Sequence, residues 1–322
     1  MPVFRLLVAL LVLAASLAPA RAQQPWPSQP VHLIVPFAAG GTTDMFARLL
    51  ARHMQRTFNV PFVIENHGGA GGNIGAAMAA KAAPDGYTIL IGTASIFAIN
   101  PFAYSSLPFD SERSFQPVSL IARVPNILVV HPRVPVTTVQ ELADYIKANP
   151  NKLSYGSSGP GTSQHLAGAL FAMLTGSAMT HVPYRSSGEI MSNLTGGHID
   201  LAFDNIPLAL PLVNSGAIRA IAVTTAGRSA SVPNVPAIAE TFPGFDAAAW
   251  HGVFVPAGTP RPIVDRLGAE IHRILGLPEV TEQFFKVGAE PRPMTPEEFS
   301  SFIQIERGRW REVVRASGVK LD

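Results

Sequence analysis

The chain has 322 residues, 24 basic and 22 acidic side chains, 47% apolar residues and no cysteine. The absence of thiols excludes disulfides, thiolate metal sites, cysteine nucleophiles and iron–sulfur clusters. The near-neutral balance argues against nucleic acid or an anionic membrane surface as the main partner, and the length fits two domains or one large α/β domain.

Residues 1–22 read as a secretory signal peptide. Arg5 gives a positive start, Leu6 to Leu17 an apolar segment, and Ala20-Arg21-Ala22 a small-x-small cleavage site. The apolar segment is shorter than the ~20 residues a spanning helix needs. Cleavage near Ala22 removes Arg5 and Arg21 and no acid, which brings the 24 basic residues down by two to match the 22 acids. An exported chain without cysteine points to a bacterial periplasm.

The stretch HLIVPFAAGGTTDMFARLLARHMQ, residues 32–55, predicts a buried strand, a glycine turn and a helix start. Leu33 to Val35 are apolar and Pro36 ends the run. Phe37 and Ala39 lead into Gly40 and Gly41, where a backbone can approach a ligand closely. Thr42, Thr43 and Asp44 fall at the helix start, and Phe46, Leu49, Leu50 and Met54 continue its apolar face. The unpaired N–H groups and partial positive charge of a first turn bind anions without a lysine or arginine. Asp44 itself reads more simply as a first-turn acid facing the helix dipole.

Further strand patterns fall near 60–65, 87–92, 127–131, 153–156, 179–183, 199–203 and 218–224, and helix patterns near 72–83, 137–149, 162–175 and 186–196. This alternation predicts βαβ units and mainly parallel sheets flanked by helices. After Gly252 come three helical patterns near 262–276, 278–288 and 295–316; Thr295-Pro296-Glu297-Glu298 supplies an N-cap, a first-position proline and first-turn acids. Composition breaks at about 125 and 248 predict a discontinuous first domain, 23–125 plus 249–322, around a second domain, 126–248. One continuous doubly wound domain with a helical tail is the alternative.

In open parallel sheets ligands bind outside the carboxyl ends of the strands. GGAGGNIG, residues 68–75, lacks the third glycine of a dinucleotide fingerprint and the lysine of a P-loop, and reads as structural. YGSSGPGTSQHLAGALF, residues 155–171, repeats the first turn: strand, glycine-rich loop with Ser157, Ser158 and Gly161, then Thr162 and Ser163 at a helix start with His165 in its first turn. Two such turns from two domains would grip a small anion from both sides. A secreted serine hydrolase using Ser157 or Ser158 with His165 is the competing reading, although no nucleophile-elbow motif supports it. Tyr184 and Arg185 end one strand. Arg185 fits either a ligand carboxylate or an ion pair with Glu189. Asp204 ends the next strand and either accepts a hydrogen bond from a ligand or caps the following turn. The nine histidines are scattered without metal-ligand spacing, so neither metal nor cofactor is expected.

The runs PVHLIVPFAAGGTTDMFARLLA, GGAGGNIGAAMAAKAAPDGYTILIG, YGSSGPGTSQHLAGALF, GGHIDLAFDN, WHGVFVPAGTPRPIVDRL and SGVKLD together resemble the Bug family. These are the extracytoplasmic solute receptors of tripartite tricarboxylate transporters. The resemblance implies a two-domain periplasmic-binding fold, type II-like, with a ligand cleft between the domains. It also implies a non-catalytic, monomeric receptor that closes on a small carboxylate and delivers it to a membrane permease, with a membrane sensor as a further partner. The carboxylate would be held by Phe37 to Thr43 and by Ser157 to Ser163 with His165, and the Asp204 position matches a cleft-lining loop. One departure stands out: where family members often carry Y-K-G-x-x-P-A, this chain reads Tyr184-Arg185-Ser186-Ser187-Gly188-Glu189-Ile190. Ligand preference therefore does not carry over from a single relative.

Overall fold

The computed structural model describes residues 26–286 and 288–321; the leader expected over 1–22 lies outside them. The chain opens with β1 (Val31–Val35), whose residues are buried except the half-buried His32. Helix α1 (Thr42–Phe58) buries Phe46, Leu49, Leu50 and Met54 against it, and Asn59 ends the helix in the left-handed conformation that asparagine tolerates. β2 (Phe62–Asn66), α2 (Asn73–Ala80) and β3 (Thr88–Thr93) follow, then a π-type turn over Ser95–Ile99, the short α3 (Asn100–Ala103) and β4 (Phe115–Val124). One residue later the chain begins β5 (Asn126–Val130) in a second sheet. There it builds α4 (Val139–Ala148), β6 (Ser154–Ser157), α5 (Ser163–Thr175), β7 (Thr180–Pro183), α6 (Ser187–Thr195), β8 (Leu201–Asn205), α7 (Ile206–Asn214) and β9 (Arg219–Val223). It returns to the first sheet as β10 (Ala249–Pro256) and ends with α8 (Arg261–Leu275), α9 (Pro278–Lys286), β11 (Glu290–Pro291) and α10 (Pro296–Ser317).

The first sheet has the order β11-β4-β10-β3-β1-β2 and the second β7-β6-β8-β5-β9. Each sheet with its helices forms one lobe. The sheets are mixed rather than mainly parallel: β10 runs antiparallel to both β3 and β4, and β5 antiparallel to both β8 and β9. The reason is where the chain crosses over. Segments that follow β1, β3, β6 and β8 line one shared cavity, so the carboxyl ends of these strands face each other across it. A chain leaving one lobe at that face enters the other at the same face and must run away from it, against its parallel neighbours.

The two crossovers are tied together. Thr224 N–H donates to the Asn126 carbonyl at 2.9 Å, and Asn126 Nδ2 donates to the Ala247 carbonyl at 3.0 Å. Helix α10 starts with the expected Thr295 N-cap, which forms a capping box with Glu298. It packs against β4 of the first lobe and α5 of the second, and its Trp310 is fully buried in an apolar core that contains residues of both lobes.

Candidate functional site

The first wall is the turn between β1 and α1. Gly41 is the N-cap and contributes no side chain, so the first-turn N–H groups stay uncapped. Thr42 and Thr43 are buried there. Asp44 does not reach the cleft. Its carboxylate accepts from Gly40 N–H (3.1 Å), Arg48 Nε (2.8 Å) and Asn66 Nδ2 (3.0 Å), and Asn66 Nδ2 also donates to the Phe37 carbonyl at 3.0 Å. Burial raises its pKa, but the bonds from Arg48, Gly40 and Asn66 outweigh it and hold the carboxyl below its usual range. Asp44 is therefore the brace that shapes the turn.

The second wall is the loop between β6 and α5. Thr162 caps α5, its side chain accepting from His165 N–H at 3.3 Å. Ser157 is fully buried and lies 2.6 Å from His181 Nε2, not His165. Ser158 Oγ donates to Gln164 Oε1. His165 stacks on His181 with ring centroids 4.1 Å apart and its Nδ1 accepts from Gly161 N–H at 3.4 Å. The serine–His165 pair that the competing hydrolase reading requires is thus not formed with either serine. The chain folds Ser157 inward because its hydroxyl closes the glycine turn by donating to the Gly159 carbonyl at 3.1 Å. Burial lowers the pKa of His165 to about 4, and burial with the neighbouring His165 lowers that of His181 to about 3, so both rings are neutral.

Behind this wall sits a carboxyl without a cation. Asp204 is fully buried; its Oδ1 accepts from Gln164 Nε2 (2.5 Å) and Ser187 Oγ (2.6 Å), and also from Asn205 N–H (2.7 Å). Its Oδ2 has no partner among the described residues. Burial pushes its pKa up to about 6 against those three bonds. Asp204 thereby fixes Gln164, Ser187 and Asn205, and it is these three that line the cleft.

Between the two lobes lies a cleft of about 420 Å³, open solvent at its mouth included. Of the residues the sequence singled out, Phe37, Gly41, Thr42, Thr43, Ser158, Thr162 and Ser163 line it. Ala39, Gly40, Ser157, Gly161, His165, Tyr184 and Arg185 do not. Arg185 is exposed, its N–H donating to Glu189 Oε2 at 3.0 Å; in the same loop Ser186 and Ser187 face the cavity instead. The sequence reading missed Thr93 at the end of β3, Ser95 just after it, and His251 on β10. The end of β3 was findable as one more strand terminus, whereas His251 lies on a strand the pattern did not reveal. Among the described residues no lysine or arginine lines the cavity. Three of its lining atoms, Thr42 Oγ1, Thr93 Oγ1 and His251 Nδ1, are buried without a protein partner. Burial lowers the His251 pKa to about 3, which leaves a neutral ring.

The lobes meet above this cavity. Ala38 N–H donates to the Arg185 carbonyl at 3.5 Å. Gly71, in the loop read as structural, adopts φ +62° opposite the second lobe: a β-carbon there would stand 2.4 Å from the Pro160 carbonyl oxygen. Asn100 Nδ2 holds that loop by donating to the Gly71 carbonyl (3.2 Å) and Asn73 Oδ1 (2.7 Å).

Two α/β lobes joined by paired crossovers and closed on a polar cleft define the periplasmic-binding-protein fold. Residues 46–319 match the model of the tripartite tricarboxylate transporter family receptor, and the chain belongs to that family. BugT of Bordetella pertussis is 36% identical over 316 residues, covering 98% of this chain and 97% of the relative. A protein of R. palustris solved with adipate is 40% identical and covers 92% of this chain and 99% of its own, with a TM-score of 0.89. MatC of Rhodopseudomonas palustris, solved with bound malate, is 33% identical, covers 90% of this chain and 100% of its own, and has a TM-score of 0.86.

Proposed function

We propose that this protein is a periplasmic, non-catalytic receptor that captures a small carboxylate between its lobes and delivers it to a membrane permease. The observation that carries this reading is the pairing of two helix starts, the uncapped α1 and the Thr162-capped α5, from different lobes across one cavity lined by hydroxyls, amides and a neutral imidazole. An anion there is held by N–H groups, helix dipoles and hydroxyls. Thr42, Thr43, Ser158 and Ser163 are the direct contacts, with Thr93 and His251 supplying the unpaired atoms at the floor. Phe37 covers the ligand's apolar body.

The lobes correspond to 23–125 plus 249–322 and 126–248, hinged at the crossovers. Contacts from both lobes stabilise the closed arrangement more than the open one, so ligand drives closure. Adipate and malate in the relatives support a dicarboxylate here. A thermal-shift screen of mono-, di- and tricarboxylates tests the proposal. A saturating ligand at about 100 times its Kd adds about 2.7 kcal/mol of stability; no shift with any organic anion overturns it.

A further inference from the structure

A second cavity lies outside the cleft, a groove of about 1120 Å³ including its open mouth, bounded by α1, α9 and α7. The face of α1 from Gly41 through Met45 and Leu49 to Arg52 forms one wall, about 16 Å long at 1.5 Å per residue. Phe46, Leu49 and Phe284 are buried beneath it, and Leu208 closes it from the second lobe. The groove's charged groups are Arg48, Arg52, Lys286 and Asp44. Asp44 is buried and neutralised by Arg48. Lys286 pairs with Glu282 at 2.7 Å, outside the groove lining. Arg52 forms no ion pair among the described residues. An apolar trough with an unpaired guanidinium at one end has the chemistry of an amphipathic anion: one charged head, one apolar tail.

We propose that this groove is a second binding site, for an organic anion with a single carboxylate or sulfonate head and an alkyl or aryl tail. The head meets Arg52 at one end of the groove, and the tail lies along Met45 and Leu208, above the buried Phe46, Leu49 and Phe284. The groove is too apolar for the short polyanions suited to the cleft, whose lining is hydroxyl and amide. Gly41 lines both cavities and Leu208 belongs to the other lobe. Occupancy of the groove therefore favours the same closed arrangement, and by linkage the two sites bind cooperatively.

Titration of the mature protein with anilinonaphthalene sulfonate, with no cleft ligand present, tests this. Saturable one-to-one fluorescence enhancement is expected, displaced by decanoate and not by adipate. The charge-reversed variant Arg52→Glu, at an exposed position, weakens binding by about tenfold or more, as expected for loss of charged hydrogen-bond donors. Leu208→Asn weakens it through the tail. Absence of saturable binding overturns the proposal, as does undiminished binding by the charge-reversed variant. Sedimentation showing a wild-type dimer that Leu208→Asn dissolves also overturns it, giving the groove to a second copy. Because no cleft ligand enters the measurement, each of these failures leaves the carboxylate reading of the cleft intact.

Discussion

Replacing Gly71 by alanine lowers carboxylate affinity by about tenfold or more, equivalent to at least about 1.4 kcal/mol, while the protein stays folded. The β-carbon would stand 2.4 Å from the Pro160 carbonyl oxygen, and both atoms belong to backbone loops that cannot rotate away as a side chain can. That contact exists only when the lobes are together. The open arrangement avoids the clash, so the substitution subtracts from closure and ligand binding has to make up the difference. The left-handed φ of Gly71 adds a separate strain, roughly 1–2 kcal/mol for an L-residue, borne by open and closed forms alike. Gly216→Ala is the control: its φ is +76° but nothing lies within 4 Å of its β-carbon. Calorimetric titration with a carboxylate found by the screen should show reduced affinity for Gly71→Ala and unchanged affinity for Gly216→Ala. Equal affinities would refute the lobe contact as part of closure.

Acid should unfold this protein well above the carboxylate range. Burial holds His165 at about 4 and His181 and His251 at about 3, against 6.5 for an exposed histidine. A depressed folded-state pKa means that the stability is fully present above pH 6.5 and is lost as pH falls toward those values, because the unfolded chain takes up the protons first. At about 1.4 kcal/mol per pH unit, each ring costs about 2 kcal/mol at pH 5, and about 6 kcal/mol for all three. That is comparable with the net stability of many domains, about 5–15 kcal/mol. The lowered carboxyls of Asp44 and Asp200 act with the same sign at lower pH. Asp204 acts oppositely: its pKa is raised to about 6, so its contribution is present below 3.8 and lost as pH rises through 6. Urea unfolding of wild type should show a steep fall in midpoint between pH 6.5 and 5. Relative to wild type, Asp204→Asn should gain about 1.4 kcal/mol between pH 5 and 7.5. A flat profile contradicts the buried neutral histidines.

Local patterns made most of the architecture legible. The β1–α1 and β6–α5 units announced themselves because strand, glycine turn and threonine helix start are consecutive in sequence. Two central strands escaped. β4 carries Pro117, Gln116 and Ser119 within its run, and β10 carries His251 and Gly252, which break an apolar pattern for tertiary reasons: a β-carbon at Gly252 would stand 2.2 Å from the Phe299 ring. Helix α7 was hidden by Pro207 and Pro211 and by its apolar residues all round. The site divides in the same way. Thr42, Thr43, Thr162 and Ser163 follow from helix starts, while Gln164, Ser187 and Asn205 become cleft residues only through Asp204, which draws three loops together. In the unusual Tyr184–Glu189 loop the two serines, Ser186 and Ser187, line the cavity and Arg185 does not.

A crystal structure of the complex with the best dicarboxylate from the screen tests the central claim most directly. The ligand is predicted in the 420 Å³ cavity, with one carboxylate at the Thr42–Thr43 turn and contacts from Ser158 and Ser163 across the cleft. No arginine or lysine should touch it. A dicarboxylate bound outside this cavity, or held by the Arg185 guanidinium, would contradict the account.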